Sequence, residues 1–406
     1  MSGKAIPIVQ IAEPARPRSR SRWPILNDGF RPFFLSAAVL AVLAVPIWVV
    51  VLSGLIDLPV ATDPLAWHKH EMTFGYLGAV MAGFLLTAIP NWTGRLPLAG
   101  APLAVFFSLW LLGRIAMAAS ALTGLVAAAV IDLLFPVALT ALVTREVVAG
   151  RNWRNLAVCL LVAGFALADG LAQLGYIRGW NTGLGERLAL GVAALLIALI
   201  GGRIVPSFTR NWLVKRGATK LPAPFGRFDQ TALAVTAPAL ASWALWPEAP
   251  WSGAALLLIG LVHAARLARW QGWGTGAEPL VLILHLGYAW LPLGFLLMGV
   301  AALAPEAVPT TAALHALTAG AIGTMTMAVM TRATLGHTGR ELTAGRGTVT
   351  IYAAILAGAL LRVATPFLPI DPTAALALAG GLWSLGFLLF VAIYGPLMFR
   401  ARGARH

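Results

Sequence analysis

Apolar runs about 20 residues long recur along this 406-residue chain, and its charges lie almost entirely between them. A run of that length crosses a bilayer as a helix, because a helix satisfies its own backbone hydrogen bonds where no water is present. The runs fall at 33–56, 70–90, 101–119, 122–143, 155–177, 187–209, 229–247, 252–270, 279–303, 310–331, 348–369 and 374–399. They predict an all-α polytopic membrane protein of about twelve transmembrane helices. Composition excludes a water-soluble globule: 59% of residues are hydrophobic and 11% charged, where a soluble domain carries about 25% charged residues.

The net charge of +14 is distributed as a membrane topology predicts. With both termini in the cytoplasm, every Lys and Arg falls in a tail or a cytoplasmic loop except Lys69, Arg114, Arg178, Arg187 and Arg362. Scattered short loops offer no folded basic face, so nucleic acid is not an expected partner; the lipid bilayer is. Residues 1–32 are polar and basic, with no short apolar region before a cleavage site. They are expected to form a disordered cytoplasmic tail, followed by a helical bundle over 33–399 and a basic tail over 400–406.

Two predicted helices repeat each other. WHKHEMTFGYLGAVMAGFLLTAIPNWTGR (Trp67–Arg95) aligns without gaps on a segment containing HALTAGAIGTMTMAVMTRATLGHTGR (His315–Arg340), and His70, Gly75, Gly78 and Arg95 fall on His315, Gly320, Gly323 and Arg340. These are the second and tenth helices, and the sixth ends in its own polar aromatic stretch, Pro206–Trp212. A spacing of four predicts three four-helix units.

Ionisable residues inside a membrane are costly to place and usually functional. His70 and His315, at equal depth on different helices, suggest two axial ligands gripping one haem iron. On a helix His68 points about 200° away from His70, so the two should not share a metal if the helix has already begun there; on an irregular segment they could chelate one jointly. Glu71 is a candidate ligand or imidazole partner. A second group, His263, His285 and His337, lies toward the other face, with Arg332 and Arg340 flanking His337 as candidate propionate partners. Asp132 and Asp169, deep in apolar runs, suit a proton path. The single cysteine, Cys159, excludes an intrachain disulfide and a thiolate cluster.

The motifs GFRPFFL (Gly29–Leu35), WHKHEMTFGY (Trp67–Tyr76), GFLLTAIPNWTGR (Gly83–Arg95), GGRIVPSFTRNW (Gly201–Trp212), LHLGYAWLPLG (Leu284–Gly294) and the His315–Arg340 segment closely resemble the NnrS family over nearly the whole chain. The resemblance implies a bacterial inner-membrane protein that binds haem, expected to be b-type, and copper. It also implies a role in nitric oxide response and nitrosative-stress protection during denitrification, with nitric oxide or a nitrosylated species as ligand. A remoter likeness to haem–copper oxidase subunit I fits the three units and the histidines of helices two and ten. The histidines of a binuclear oxygen- or nitric-oxide-reducing centre are missing, however, so copper would need another arrangement: His68 with Glu71, or His263 with His285. No reaction follows from the resemblance. A redox enzyme consuming nitric oxide with electrons from an unidentified donor, and a transporter of a metal, haem or nitrosylated species, are the alternatives.

Overall fold

The computed structural model describes residues 22–180 and 182–401, and among these residues the protein is built of helices without strands. Twelve long helices follow one another: α1 (Phe30–Leu52), α2 (Pro64–Thr93), α3 (Ala101–Ala118), α4 (Leu125–Ala149), α5 (Leu156–Arg178), α6 (Leu184–Lys215), α7 (Arg227–Leu245), α8 (Pro250–Ala268), α9 (Pro279–Leu303), α10 (Thr310–His337), α11 (Arg346–Ala364) and α12 (Pro372–Met398). All but α7 are long and apolar enough to cross a membrane. The predicted seventh span, 229–247, does form a helix, but Arg227, Asp229 and Gln230 in its first turn lower its hydropathy.

Local chemistry explains most helix ends. Asp63, Glu278 and Asp371 cap α2, α9 and α12 by accepting a hydrogen bond from a first-turn amide, and each precedes a proline at the first helical position. Gly94 and Gly179 end α2 and α5 in the left-handed conformation. The Asp63–Pro64 start makes α2 longer than its predicted apolar stretch, so His68 and His70 both sit on regular helix.

The helices group as three four-helix units, α2–α5, α6–α9, and α10–α12 with α1 from the other end of the chain, and the units are tied together where α5 packs on α6, α9 on α10 and α1 on α2. α2, α6 and α10 touch one another at the centre. α2 and α10 bury 72% of their most apolar stretch, against 22% for peripheral α1. Arg31, at the start of α1, donates to the carbonyls of Met398 and Arg400 at the end of α12, both at 2.8 Å, and so holds the two ends of the bundle together.

The three central helices share one backbone feature. Each contains a stretch of wide π-helical turn: Glu71–Tyr76 in α2, Ile197–Gly201 in α6 and Ala316–Ile322 in α10. Such turns insert a residue, re-aim the side chains around them and cluster at functional sites. In α2 and α10 they begin immediately after the aligned pair His70 and His315, so the sequence repeat is also a repeat of backbone geometry.

The described part of the predicted 1–32 tail is ordered: Pro24–Leu26 forms a helical turn, Phe30 begins α1 and Arg31 is buried. The rest of that tail, and residues 402–406 of the predicted C-terminal tail, lie outside the described residues.

Candidate metal centre and histidine sites

His70 points into the first unit and is fully buried. Its Nε2 has three neighbours: Asp132 Oδ2 of α4 at 3.0 Å, Asp169 Oδ1 of α5 at 3.2 Å and Gln173 Nε2 of α5 at 2.9 Å. Its Nδ1 lies 3.5 Å from Glu71 Oε1. Arg114 of α3 joins the carboxylates, donating from Nη1 to Glu71 Oε1 at 2.8 Å and from Nη2 to Asp132 Oδ1. Gln173 donates to Asp132 Oδ2 at 3.0 Å and contacts Met117 Sδ at 3.4 Å. Among the described residues, His70, Asp132 and Asp169 are the one group of three or more His, Cys, Asp or Glu whose donor atoms lie close enough together to hold a metal ion.

Sequence places these groups logically. Asp169, Gln173 and Tyr176 are four and three residues apart, so they share the face of α5 that looks into the unit. Tyr176 meets His70 edge-on with ring centroids 6.1 Å apart, and its hydroxyl donates to Glu186 of α6 at 2.9 Å. Two glycines make room for the charges. A Cβ on Gly113 would stand 2.7 Å from Asp132 Oδ1, and one on Gly75 2.7 Å from Arg114 Nη1.

His68 turns the other way, as its separation from His70 on a helix requires. It enters the third unit and stacks on Trp48 of α1, with centroids 4.9 Å apart and planes 15° from parallel. It interacts electrostatically with His315 of α10 and Arg362 of α11. Its Nδ1 is buried without a hydrogen-bond partner. His315 Nδ1 lies 2.7 Å from the carbonyl of Thr311, an oxygen that can only accept. Nδ1 therefore carries the hydrogen, and Nε2 keeps its lone pair for another partner. The histidine that α2 brings toward His315 is thus His68; His70, with both ring nitrogens engaged in the first unit, is turned away from it.

The second unit has its own buried network. Arg266 Nε donates to Asp229 Oδ1 at 2.7 Å and Nη1 to the Tyr288 hydroxyl at 3.0 Å. That hydroxyl contacts His263 Nδ1 at 2.8 Å, while His263 Nε2 meets Thr236 at 2.9 Å. Both nitrogens of His263 are therefore taken. His285 Nε2 bonds Thr209 of α6 at 2.7 Å, and its Nδ1 is buried beside Gly272 without a partner. His337 packs on Phe30 with centroids 5.6 Å apart. Arg332 lies over the Phe208 ring at 3.9 Å, and Arg340 is exposed. The histidines and arginines expected to cooperate near this face are thus engaged by separate neighbours. Of the two donor pairs expected for copper, Glu71 faces the first unit while His68 faces the third, and His263 has both ring nitrogens engaged by Tyr288 and Thr236.

Arg114, Gln173 and Met117 complete the first cluster without having been expected there. Arg114 did carry a signal, as one of the few arginines outside the basic loops. Gln173 carried only its helical spacing from Asp169.

No curated protein matches this chain. The family described as NnrS protein matches residues 24–402, which span all twelve helices and all three units. The match covers nearly the whole chain, and the chain belongs to the NnrS family.

Proposed function

We propose that this chain is a haem-containing protein of the bacterial inner membrane that binds nitric oxide or a nitrosylated species and protects the cell during denitrification. Family membership supplies the biological context. The uneven placement of basic residues supports an orientation with both termini in the cytoplasm. The observation that carries the reading is the pair His68 and His315: one offers a buried, unpaired Nδ1, and the other a lone pair on Nε2 fixed by its bond to Thr311.

A b-type haem fits this donor chemistry. His68 and His315 would hold it from α2 and α10, and Arg362 would offer a cation to its propionates. When bound, haem would supply an iron able to take nitric oxide in exchange for one of the two imidazoles. The protein's own residues fix the ligand geometry. Trp48 holds the plane of the His68 ring, and the Thr311 carbonyl sets the His315 tautomer and raises its basicity. The family resemblance implies copper too, but the two donor pairs expected for it are not assembled, so no copper site is part of this reading.

Protein purified in detergent after haem-replete expression should show a haem spectrum that changes with nitric oxide when reduced. His315→Ala and His68→Ala should lose or alter that spectrum, while His70→Ala keeps it. Absence of haem in the wild type, or an unaltered spectrum in both His315→Ala and His68→Ala, would overturn the reading.

A further inference from the structure

We propose that the first unit holds a non-haem divalent metal ion, bound by His70 Nε2, Asp132, Asp169 and Gln173. The proposal is independent of the haem reading, which concerns the third unit.

Three observations support it. The first is the crowding around one atom. A ring nitrogen carries either one hydrogen or one lone pair, so it can satisfy only one neighbour. His70 Nε2 nevertheless has two carboxylate oxygens and an amide within 3.2 Å. Atoms bound to a first-row divalent ion sit about 2.0–2.2 Å from it, which places neighbours in the shell about 2.8–3.5 Å apart. The separations of 3.0, 3.2 and 2.9 Å around Nε2, and of 3.0 Å between Gln173 and Asp132, are the edges of such a shell.

The second observation is an orphaned atom. Gln173 is 1% exposed, and its Oε1 is buried without any hydrogen-bond partner. A buried amide oxygen left unpaired is costly. Amide oxygen and nitrogen occupy interchangeable positions, so half a turn of the amide presents Oε1 to His70 and Asp132 in place of Nε2. Beside a carboxylate alone that orientation is repulsive, whereas beside a cation it completes a ligand set.

The third observation is charge. Glu71, Asp132 and Asp169 are all buried, and Arg114 is the one guanidinium among them. With a neutral imidazole and ionised carboxylates the cluster carries two uncompensated negative charges, and a divalent ion balances them. In a low-dielectric interior an uncompensated charge is expensive, so the cation stabilises the whole cluster.

Donor chemistry selects the ion class. One imidazole, two carboxylates and an amide oxygen suit Mn(II), Fe(II), Co(II) or Zn(II). A soft Cu(I) site would need more sulfur than Met117 provides. Arg114 and Glu71 are positioning residues: the guanidinium holds Asp132 Oδ1 and so leaves Oδ2 facing His70.

The test is elemental analysis of the purified full-length protein for manganese, iron, cobalt, copper and zinc, with haem iron counted separately from its pyridine spectrum. The wild type should carry about one non-haem divalent ion per chain. Asp169→Asn should lose it, and Gln173→Ala should weaken Co(II) binding to chelator-stripped protein, read by visible absorption, about tenfold or more. A monodisperse elution profile shows that each variant is folded. No ion in wild-type protein supplied with Mn(II), Fe(II) and Zn(II), copper alone in the site, or unchanged Co(II) affinity in both folded variants would each overturn the proposal.

Discussion

Arg114→Met is the sharpest test of how the first unit is held together. The substitution keeps a long apolar side chain and removes the guanidinium, which lies 2.8 Å from Glu71 Oε1 and also donates to Asp132 Oδ1. Arg114 is 8% exposed and the two carboxylates about 2% and 1%, so water cannot replace the lost partner. At an effective dielectric of about 20, opposite charges about 4 Å apart attract by about 4 kcal/mol. Removing one partner of a buried pair costs about 3–5 kcal/mol, chiefly through the charge left behind. In a chain of this length that loss lowers the melting midpoint by roughly 3–6 °C. The protein carries its own reporter: Cys159, its single cysteine, is buried on α5 in the same unit. A thiol-reactive fluorophore will therefore report opening of that unit on heating in detergent. Glu71→Gln added to Arg114→Met should recover part of the loss, because it removes one of the stranded charges. A midpoint for Arg114→Met within a degree of wild type would refute this account of the cluster.

Gly75→Ala should destabilise the protein by about 1–3 kcal/mol through overpacking, because the new Cβ would meet Arg114 Nη1 at 2.7 Å and Leu40 Cδ2 at 3.0 Å; the same thermal assay reads it, and an unshifted midpoint would show that the unit has room to give. Tyr76→Phe removes the 2.5 Å bond between the Tyr76 and Thr326 hydroxyls, while Thr326 keeps its bond to the Ile322 carbonyl. The expected cost is about 0.5–1.5 kcal/mol, so a loss of several times that amount would contradict a purely structural role for this contact between α2 and α10. His263→Ala and His285→Ala should both retain the wild-type haem spectrum, since neither residue faces the third unit, and loss of the Soret band in either would move the haem.

The hydrophobic runs made eleven of the spans legible, and the alignment of His70 on His315 marked two helices that carry the same wide turn at the same place. The direction of each side chain was not legible. Equal depth on two aligned helices suggested that His70 and His315 face each other, yet position around a helix axis matters as much as position along it. His68 and His70 diverge by more than half a turn, and the wide turn that follows re-aims everything after it. Asp132 and Asp169 were visible as costly residues, but their convergence on His70 depends on the packing of α2, α4 and α5, which no local pattern encodes. Gln173 was hidden for a different reason: an uncharged amide in an apolar run is unremarkable until the helices around it are in place.

The third unit is the one assembled from both ends of the chain, with α1 completing α10, α11 and α12. During synthesis the first unit has all its helices once α5 has emerged, and the second once α9 has. The third stays open on one side until α12 is inserted: α1 packs on α2 as soon as that helix follows it, but meets α12 only at the end of translation. Arg31, whose partners are the carbonyls at the end of α12, gains them only then. The surroundings of His68 and His315 are therefore among the last parts of the protein to close. A ribosome that stops short of α12 leaves a product with two complete units and an unsealed third.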